Sequence, residues 1–462
     1  MGAGRHRAEP EPKTGKLPNT KLLTVILSMV GAAALALGAV VAFAHPFDAL
    51  EPLQVAVEAQ STPSEEALAT EIAQSEEEEI LPDPQQFVIA ATGDVLIHMA
   101  VASDAWNGER YAFSTQFADV TRYLEAADVS ICNMEVPVAE PGAQPQGFPV
   151  FAAPYDLVEE LAIAGFTGCT TASNHAMDQG ITGLNRTLDA FDLQSMGHAG
   201  TARTPEEASR AQMYQVEKNG VTLTIANIAA TGHTNGIPVP EDSEWAVSRI
   251  DTDRMIQEAQ AARAAGADLV VASLHCCNIE YTTIPEDIQV EVAETLAASG
   301  QIDILLSHHA HVPKPLALLE GGPDGNGMWV AYGLGNLISN QGTHVGMDPH
   351  SESGLLGFFF VEYDGVEPPV VTAGSWAVVT VDQYNGHNLI VANDEGIVYA
   401  QESERNTLST EQLEQRRALI AAVMEGGAGT EQTGVPENEP GKVTVVEREG
   451  SETRGAPAES QG

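Results

Sequence analysis

Apolar runs in this chain are short, and polar residues gather where each run stops. "QFVIAATGD" at 86–94 predicts a strand ending at Asp94, and "DVSICNMEV" at 128–136 a strand ending near Glu135. "PYDLVEELAIAG" at 154–165 predicts a helix with Pro154 at its start. "FTGCTTASN" at 166–174 follows it as a strand. "YQVEKNGVTLTIANIAA" at 214–230 predicts two strands joined at Asn219-Gly220, a hairpin signal. "DTDRMIQEAQAARAAGA" at 251–267 is a helix opened by Asp251, and "DLVVASLH" a strand ending at His275. "PEDIQVEVAETLAASG" at 285–300 is a helix, "IDILLSHHAH" at 302–311 a strand ending in histidines, and "MWVAYGLGN" at 328–336 a strand and turn. Beyond Gly354, "LLGFFFVEYDG" and "GSWAVVTVDQ" are strands with no helix between them. "STEQLEQRRALIAAVM" at 409–424 is a helix with Ser409 and Gln412 as a capping box. The order predicts an α/β fold with a largely parallel core and an antiparallel portion.

The flanks lack this pattern. Residues 46–86 hold eleven acidic residues, several prolines and no lysine or arginine, and predict an extended, disordered linker over 45–86. Residues 425–462 are rich in Gly, Glu, Pro and Ser and predict a disordered acidic tail. One large domain over 87–424 lies between them. Upstream, Leu22 to Ala44 is an uncharged, mostly apolar run of 23 residues. That length spans a hydrocarbon core of ~30 Å. Lys and Arg occur before it in residues 1–21 and are absent for a long stretch after it. The tail over 1–21 is therefore expected to be cytoplasmic and everything after Ala44 extracytoplasmic. Ala42-Phe43-Ala44 leaves a cleaved signal, and a secreted protein, as the alternative to a retained anchor.

Charge narrows the partners. With 65 Asp+Glu against 21 Lys+Arg, the chain carries −44. Such a surface repels phosphate backbones, so nucleic acid is not an expected partner. Of the four cysteines, Cys132 and Cys169 sit on strands just before polar exits and are expected to be neighbours in one sheet. They are read either as a disulfide, permitted outside the cytoplasm, or as two small buried hydrophobes. The adjacent Cys276 and Cys277 are not spaced like a structural zinc site.

The polar exits carry the chemistry. They present Asp94, Asn133 with Glu135, Asn174 with His175 and Asp178, His275, then His308, His309 and His311. In open α/β sheets ligands sit outside the carboxyl ends of the strands. Buried polar groups without partners cost roughly 1–3 kcal/mol each, so many of them on one edge call for something charged to bind. Carboxylate, amide carbonyl and imidazole together suit two divalent ions of Mn, Fe or Zn. In "SNHAMD" at 173–178, His175 and Asp178 are three apart and would share a face if the turn begins a helix. The alternative is a helix capped by Asn174 with a surface histidine. The H-x-H of 309–311, read as a strand end, would put both rings on one face.

These motifs carry a resemblance. "ATGDVLI", "NMEVPV", "TASNHAMDQG", "HAGT", "SLHCCNIEYTTIP", "LLSHHAHVPKPLALLEG" and "AYGLGNLISNQ" resemble the successive motifs of CapA-type capsule proteins. Those are membrane-anchored components of poly-γ-glutamate synthesis and export, similar to calcineurin-like metallophosphoesterases. The resemblance runs from about Phe87 to Gln341. It implies a four-layer αββα sandwich behind the N-terminal transmembrane helix. It further implies a hydrolase site with Asp94 and His311 at a first metal, Glu135 or Asn133 bridging, and Asn174, His275 and His309 at a second. His175 with Asp178 would be the catalytic pair. Other subunits of a polymer synthase are the implied partners, and a non-catalytic subunit or a secreted phosphatase or nucleotidase are the alternatives. The sequence departs from the phosphoesterase pattern in three places. Leu96 stands where a D-x-H histidine belongs, with His98 two residues late; the bridging aspartate is replaced; and "HCCNIEY" is one residue longer than H-W-G-x-E-Y, leaving Glu280 displaced.

Overall fold

Sixteen strands carry the described part of the chain, residues 83–450 of a computed structural model. The tail over 1–21, the apolar run 22–44, nearly all of the linker over 45–86, and residues 451–462 lie outside the described residues. Among the described residues no helix is long and apolar enough to cross a membrane.

In chain order the strands are β1 (Gln85–Val95), β2 (Val129–Met134), β3 (Gly168–Thr170), β4 (Gly197–Ala199), β5 (Gln212–Lys218), β6 (Val221–Thr231), β7 (Leu269–His275) and β8 (Ile304–His308). There follow β9 (Pro313–Leu319), β10 (Met328–Leu334), β11 (Asn336–Ile338), β12 (Ser353–Tyr363), β13 (Val370–Asp382), β14 (Asn388–Val391), β15 (Thr430–Glu431) and β16 (Lys442–Val446). The α-helices are α1 (Met99–Ala105), α2 (Ser114–Glu125), α3 (Leu157–Ile163), α4 (Gly180–Leu193), α5 (Pro205–Ala208), α6 (Thr252–Ala264), α7 (Asp287–Ala298), α8 (Asp394–Glu402) and α9 (Thr410–Met424).

Two sheets form. The first runs β14-β13-β12-β1-β2-β3-β4, with β11 on β1 and β15 on β13. The second runs β16-β5-β6-β7-β8-β10-β9. Parallel pairing links β1 to β4 in the first sheet and β6, β7, β8 and β10 in the second; the remaining neighbours along both runs are antiparallel. The mixed α/β expectation therefore holds.

Strand alternation builds the layers. Phe87 and Ile89 of β1 point between the sheets and meet Ile225, Val271 and Leu306 of the second sheet. Val88 and Ala90 point the other way, against Phe117 and Leu124 of α2 and Phe191 of α4. On the far side, Ala226 and Val270 pack on Met255 of α6 and Leu296 of α7. Helices thus cover the outer face of each sheet. Each fully buried side chain of this kind stabilises by about 1.5–3 kcal/mol.

Local signals explain several boundaries. Asp251 caps α6 by accepting from the Arg254 amide, and the Ser409–Gln412 capping box opens α9 as expected. Asn219, in the left-handed region, and Gly220 turn β5 into β6. The helix expected from Pro154 starts later, at Leu157. Cys132 and Cys169 lie opposite one another on β2 and β3, 4.4 Å apart at Cα, and form a disulfide. Cys276 and Cys277 follow β7 directly, and both are buried.

The expectation of disorder from residue 425 is corrected over 425–450. β16 adds antiparallel to β5, and Val443 and Val445 lie partly buried on the inter-sheet core. Buried Asp128 accepts from the Gly441 amide at 2.6 Å and the Asn438 amide group at 3.0 Å. A segment that only closes a sheet edge needs apolar residues on one face, so its composition stays polar.

Candidate metal centre

Strand register sets the first row of the site. On the first sheet Asp94 of β1 pairs with Asn133 of β2, and Asn133 with Thr170 of β3. On the second sheet His275 of β7 pairs with His308 of β8. The parallel strands of both sheets end at the same place, and side chains cross between them. Asn133 Nδ2 donates to Asp94 Oδ1 at 2.8 Å and lies 3.2 Å from His275 Nδ1. On its other side His275 Nε2 lies 2.9 Å from Asn174 Oδ1. Gly93 is required beside Asp94: a Cβ there would run into the backbone of Gly335 in the loop crossing over β1.

Asp94, Glu135 and His311 offer ligand atoms that lie within 4.8 Å of one another, and all three are buried. His311 Nδ1 is 3.1 Å from Asp94 Oδ2, and its Nε2 is 3.8 Å from Glu135 Oε1. His275 Nε2 is also 3.8 Å from Glu135 Oε1, and the His275 and His309 rings are 4.9 Å apart. Asp94 Oδ2, both Glu135 oxygens, His308 Nδ1 and His309 Nδ1 are buried and make no hydrogen bond. Orphaned buried atoms of this kind, all of ligand type, fit a divalent cation. Asn336, aligned with Asp94 across β11, fixes His311 from behind, its Oδ1 3.1 Å from Nδ1.

Without a cation the charges are badly placed. Burial raises the Glu135 carboxyl, and Asp94 beside it adds to the rise against the pull of His311. Burial works against the charge of Asp94 too, but the His308 and His311 imidazoles outweigh it and hold Asp94 well below the usual carboxylate range. Burial would lower His311, yet Glu135 and Asp94 raise it. His275 and His309 are lowered, first by burial and then by neighbouring imidazoles.

The SNHAMD corner differs from both sequence readings. α4 begins only at Gly180, and Asn174 caps nothing; residues 173–179 are turns. His175 and Asp178 still meet, Nδ1 to Oδ2 at 2.7 Å. Asp178 Oδ2 also accepts from the Phe151 amide at 2.6 Å, and the Phe151 ring stands edge-on to His175 at 4.8 Å. Burial disfavours the imidazolium, but Asp178 and Glu135 outweigh it and His175 is raised above its ordinary value. The H-x-H reading also needs correction: β8 stops at His308, and His309 and His311 lie beyond it with φ of 86° and 58°. Left-handed backbone, not strand alternation, brings the two rings to 6.2 Å.

All eight expected site residues converge: Asp94, Glu135, Asn174, His175, Asp178, His275, His309 and His311. His98 does not join the ligand group. It packs on Phe151, its Nδ1 is 3.4 Å from Ser339 Oγ, and burial pushes it down to about 4. Glu280 is exposed, whereas the neighbouring Tyr281 ring lies 5.8 Å from His311. Sequence reasoning misses two residues. His233 stands 5.2 Å from His309 ring to ring, and Asn235 Nδ2 is 3.4 Å from His175 Nε2. Their signal is the same as that of the others: polar residues directly after an apolar strand, β6.

Residues 88–341 match the family described as "Bacterial capsule synthesis protein PGA_cap". The chain belongs to this family. It is 32% identical over 193 residues to "PGA biosynthesis protein CapA" of Bacillus subtilis (strain 168), covering 40% of this chain and 46% of that one. It is 29% identical over 144 residues to an uncharacterized protein, y4uA, of Sinorhizobium fredii, covering 30% of this chain and 29% of that one. The chain thus spans less than half the length of these curated relatives. Among solved structures this PGA_cap protein is similar to an NAD nucleotidase of Haemophilus influenzae, with TM-score 0.40 and 12% identity, over 76% of this chain and 65% of that one. A 5'-nucleotidase precursor of Thermus thermophilus gives TM-score 0.40 and 13% identity, over 74% and 60%.

Proposed function

We propose that this PGA_cap protein is a membrane-anchored, extracytoplasmic, metal-dependent hydrolase of metallophosphoesterase type that acts in poly-γ-glutamate capsule production. The observation that carries the reading is the set of orphaned, buried ligand atoms around Asp94 and Glu135. Asp94, Glu135 and His311 would hold one divalent ion, and Asn174, His275 and His309 a second, of Mn, Fe or Zn. Such ions polarise the scissile group and bring a bound water's pKa toward ~7. The chain's own contribution is acid catalysis and orientation. His175, which Asp178 and Glu135 raise above its ordinary value against the effect of burial, would donate a proton from Nε2 to the leaving oxygen. Asp178 accepts from Nδ1 and fixes the tautomer, and its second tie to the Phe151 amide fixes the carboxylate. The apolar run 22–44 would anchor the domain outside the membrane, beside other subunits of the polymer synthase. Elemental analysis of the full-length chain in detergent, coupled to a screen of phosphoester and peptide-bond hydrolysis, tests the reading. Bound metal and metal-dependent turnover are expected; metal at background after incubation with Mn or Zn would refute it.

Leu96 favours a second reading. The D-x-H position that would complete the first site is an apolar side chain, 2% exposed, in the core. A non-catalytic subunit of the synthase, its first site short of this ligand, would carry metal at background and show no turnover in the same assay.

A further inference from the structure

The loop that closes β6 leads from the metal centre into a groove. Thr231 Oγ1 donates to the His233 carbonyl at 3.0 Å, and the Gly232 amide to the His275 carbonyl at 3.0 Å, so the loop is tied to β7. His233 therefore stands with one side toward His309. It also lines a groove of about 1130 Å³ together with Ile237, Trp245, Arg249 and Arg254. Arg249 reaches back to His233's own loop, donating to the Gly232 carbonyl. Arg254 is taken up by Glu258 at 2.8 Å, which also lines the groove, and Glu244 there is exposed.

Arg249 is singular in its pairing. Among the described residues every other arginine forms an ion pair with a carboxylate. In a chain with 65 acidic and 21 basic residues, a partner is easily found. A guanidinium left exposed and without one, beside the candidate centre, matches an anion that is not part of the chain. Trp245 in the same groove offers a flat apolar wall to whatever carries that anion.

We propose that Arg249, with His233 at the inner end and Trp245 as wall, forms a subsite for an anionic group of the substrate remote from the bond that is broken. This rests on the hydrolase reading of the neighbouring centre. The substrate class is then an extended chain or ester with a second negative charge, either a carboxylate, as on a γ-linked glutamyl chain, or a phosphate. Arg249 acts on binding and register, and His309 and His175 lie on the side where bonds break.

Binding is tested without turnover, so that its outcome is separate from that of the hydrolase reading. Full-length protein is stripped with EDTA, and tryptophan emission is titrated at low salt with γ-linked tetraglutamate and, in parallel, with inorganic phosphate. Trp245→Phe assigns the signal. At least one probe should bind, with Arg249→Ala weakening it about 10-fold and Arg249→Lys by less, as for loss of one charge-assisted contact. The probe that responds names the anion. Unchanged binding in Arg249→Ala, or no binding of either probe, would overturn the subsite whatever the metal assays show.

Discussion

Glu135→Gln is expected to move stability in opposite directions with and without metal. In the metal-free protein the Glu135 carboxyl is buried, neither oxygen is hydrogen-bonded, and its pKa is pushed up to about 8. The folded state therefore holds a proton that the unfolded chain releases near its ordinary value of 4.5. Stability consequently falls as pH rises from about 5 to about 8, and the penalty is complete above that. A neutral glutamine of the same shape removes the charge, relieving roughly 1–3 kcal/mol at pH 8 and above and little at pH 5. With metal the sign reverses. At free metal one hundred times Kd, a site present only in the folded state stabilises by about 2.7 kcal/mol. For roughly 370 residues, at about 2.1 cal/mol/K per residue, this is an upward shift in Tm of about 3–4 °C. Glu135→Gln should lose most of it. The assay is scanning calorimetry of both proteins, stripped with EDTA and then refilled with Mn or Zn, at pH 5 and pH 8. A metal shift of equal size in both proteins would refute the placement of Glu135 at the ion. A stripped variant less stable than the stripped parent at pH 8 would refute the account of its burial.

Other outcomes follow from the same geometry. His175→Ala should leave metal content and Tm nearly unchanged and lower turnover by roughly 10²–10⁴-fold, with Asp178→Asn doing less; turnover at the parent rate would remove His175 from the chemistry. Buried His198, held down to about 4 first by burial and then by Arg448, stays neutral in the folded state while the unfolded chain takes a proton. Stability is thus present above pH 6.5 and lost as pH falls toward 4, on the order of 3 kcal/mol; denaturant melts across this range, with an NMR titration of the ring, check it. Arg448→Met breaks the buried contact to Glu207, 3.1 Å in length, and should cost about 3 kcal/mol at pH 7, read as a lower urea midpoint. Truncation after residue 440 removes β16 with Arg448 and should lower Tm further; an unchanged Tm would mean the C-terminal strand adds nothing to the fold.

The sequence by itself determined what is local. Strands and helices follow from apolar period, caps and turn residues, and Asp94, Glu135, His275 and His308 could be read at strand exits because a strand's end is a local event. Their proximity is not local. Asp94 and Asn133 come from one sheet, His275 from the other and His311 from the loop after its β8, and only the packing of the two sheets brings them within reach. His309 and His311 face the centre through left-handed backbone, which a period-two pattern cannot express. His175 and Asp178 meet through a turn held by the Phe151 amide, from a loop more than twenty residues earlier in the chain. The polar composition of 425–450 gave no sign of β16, because pairing on a sheet edge depends on which edge is left open, a property of the assembled fold.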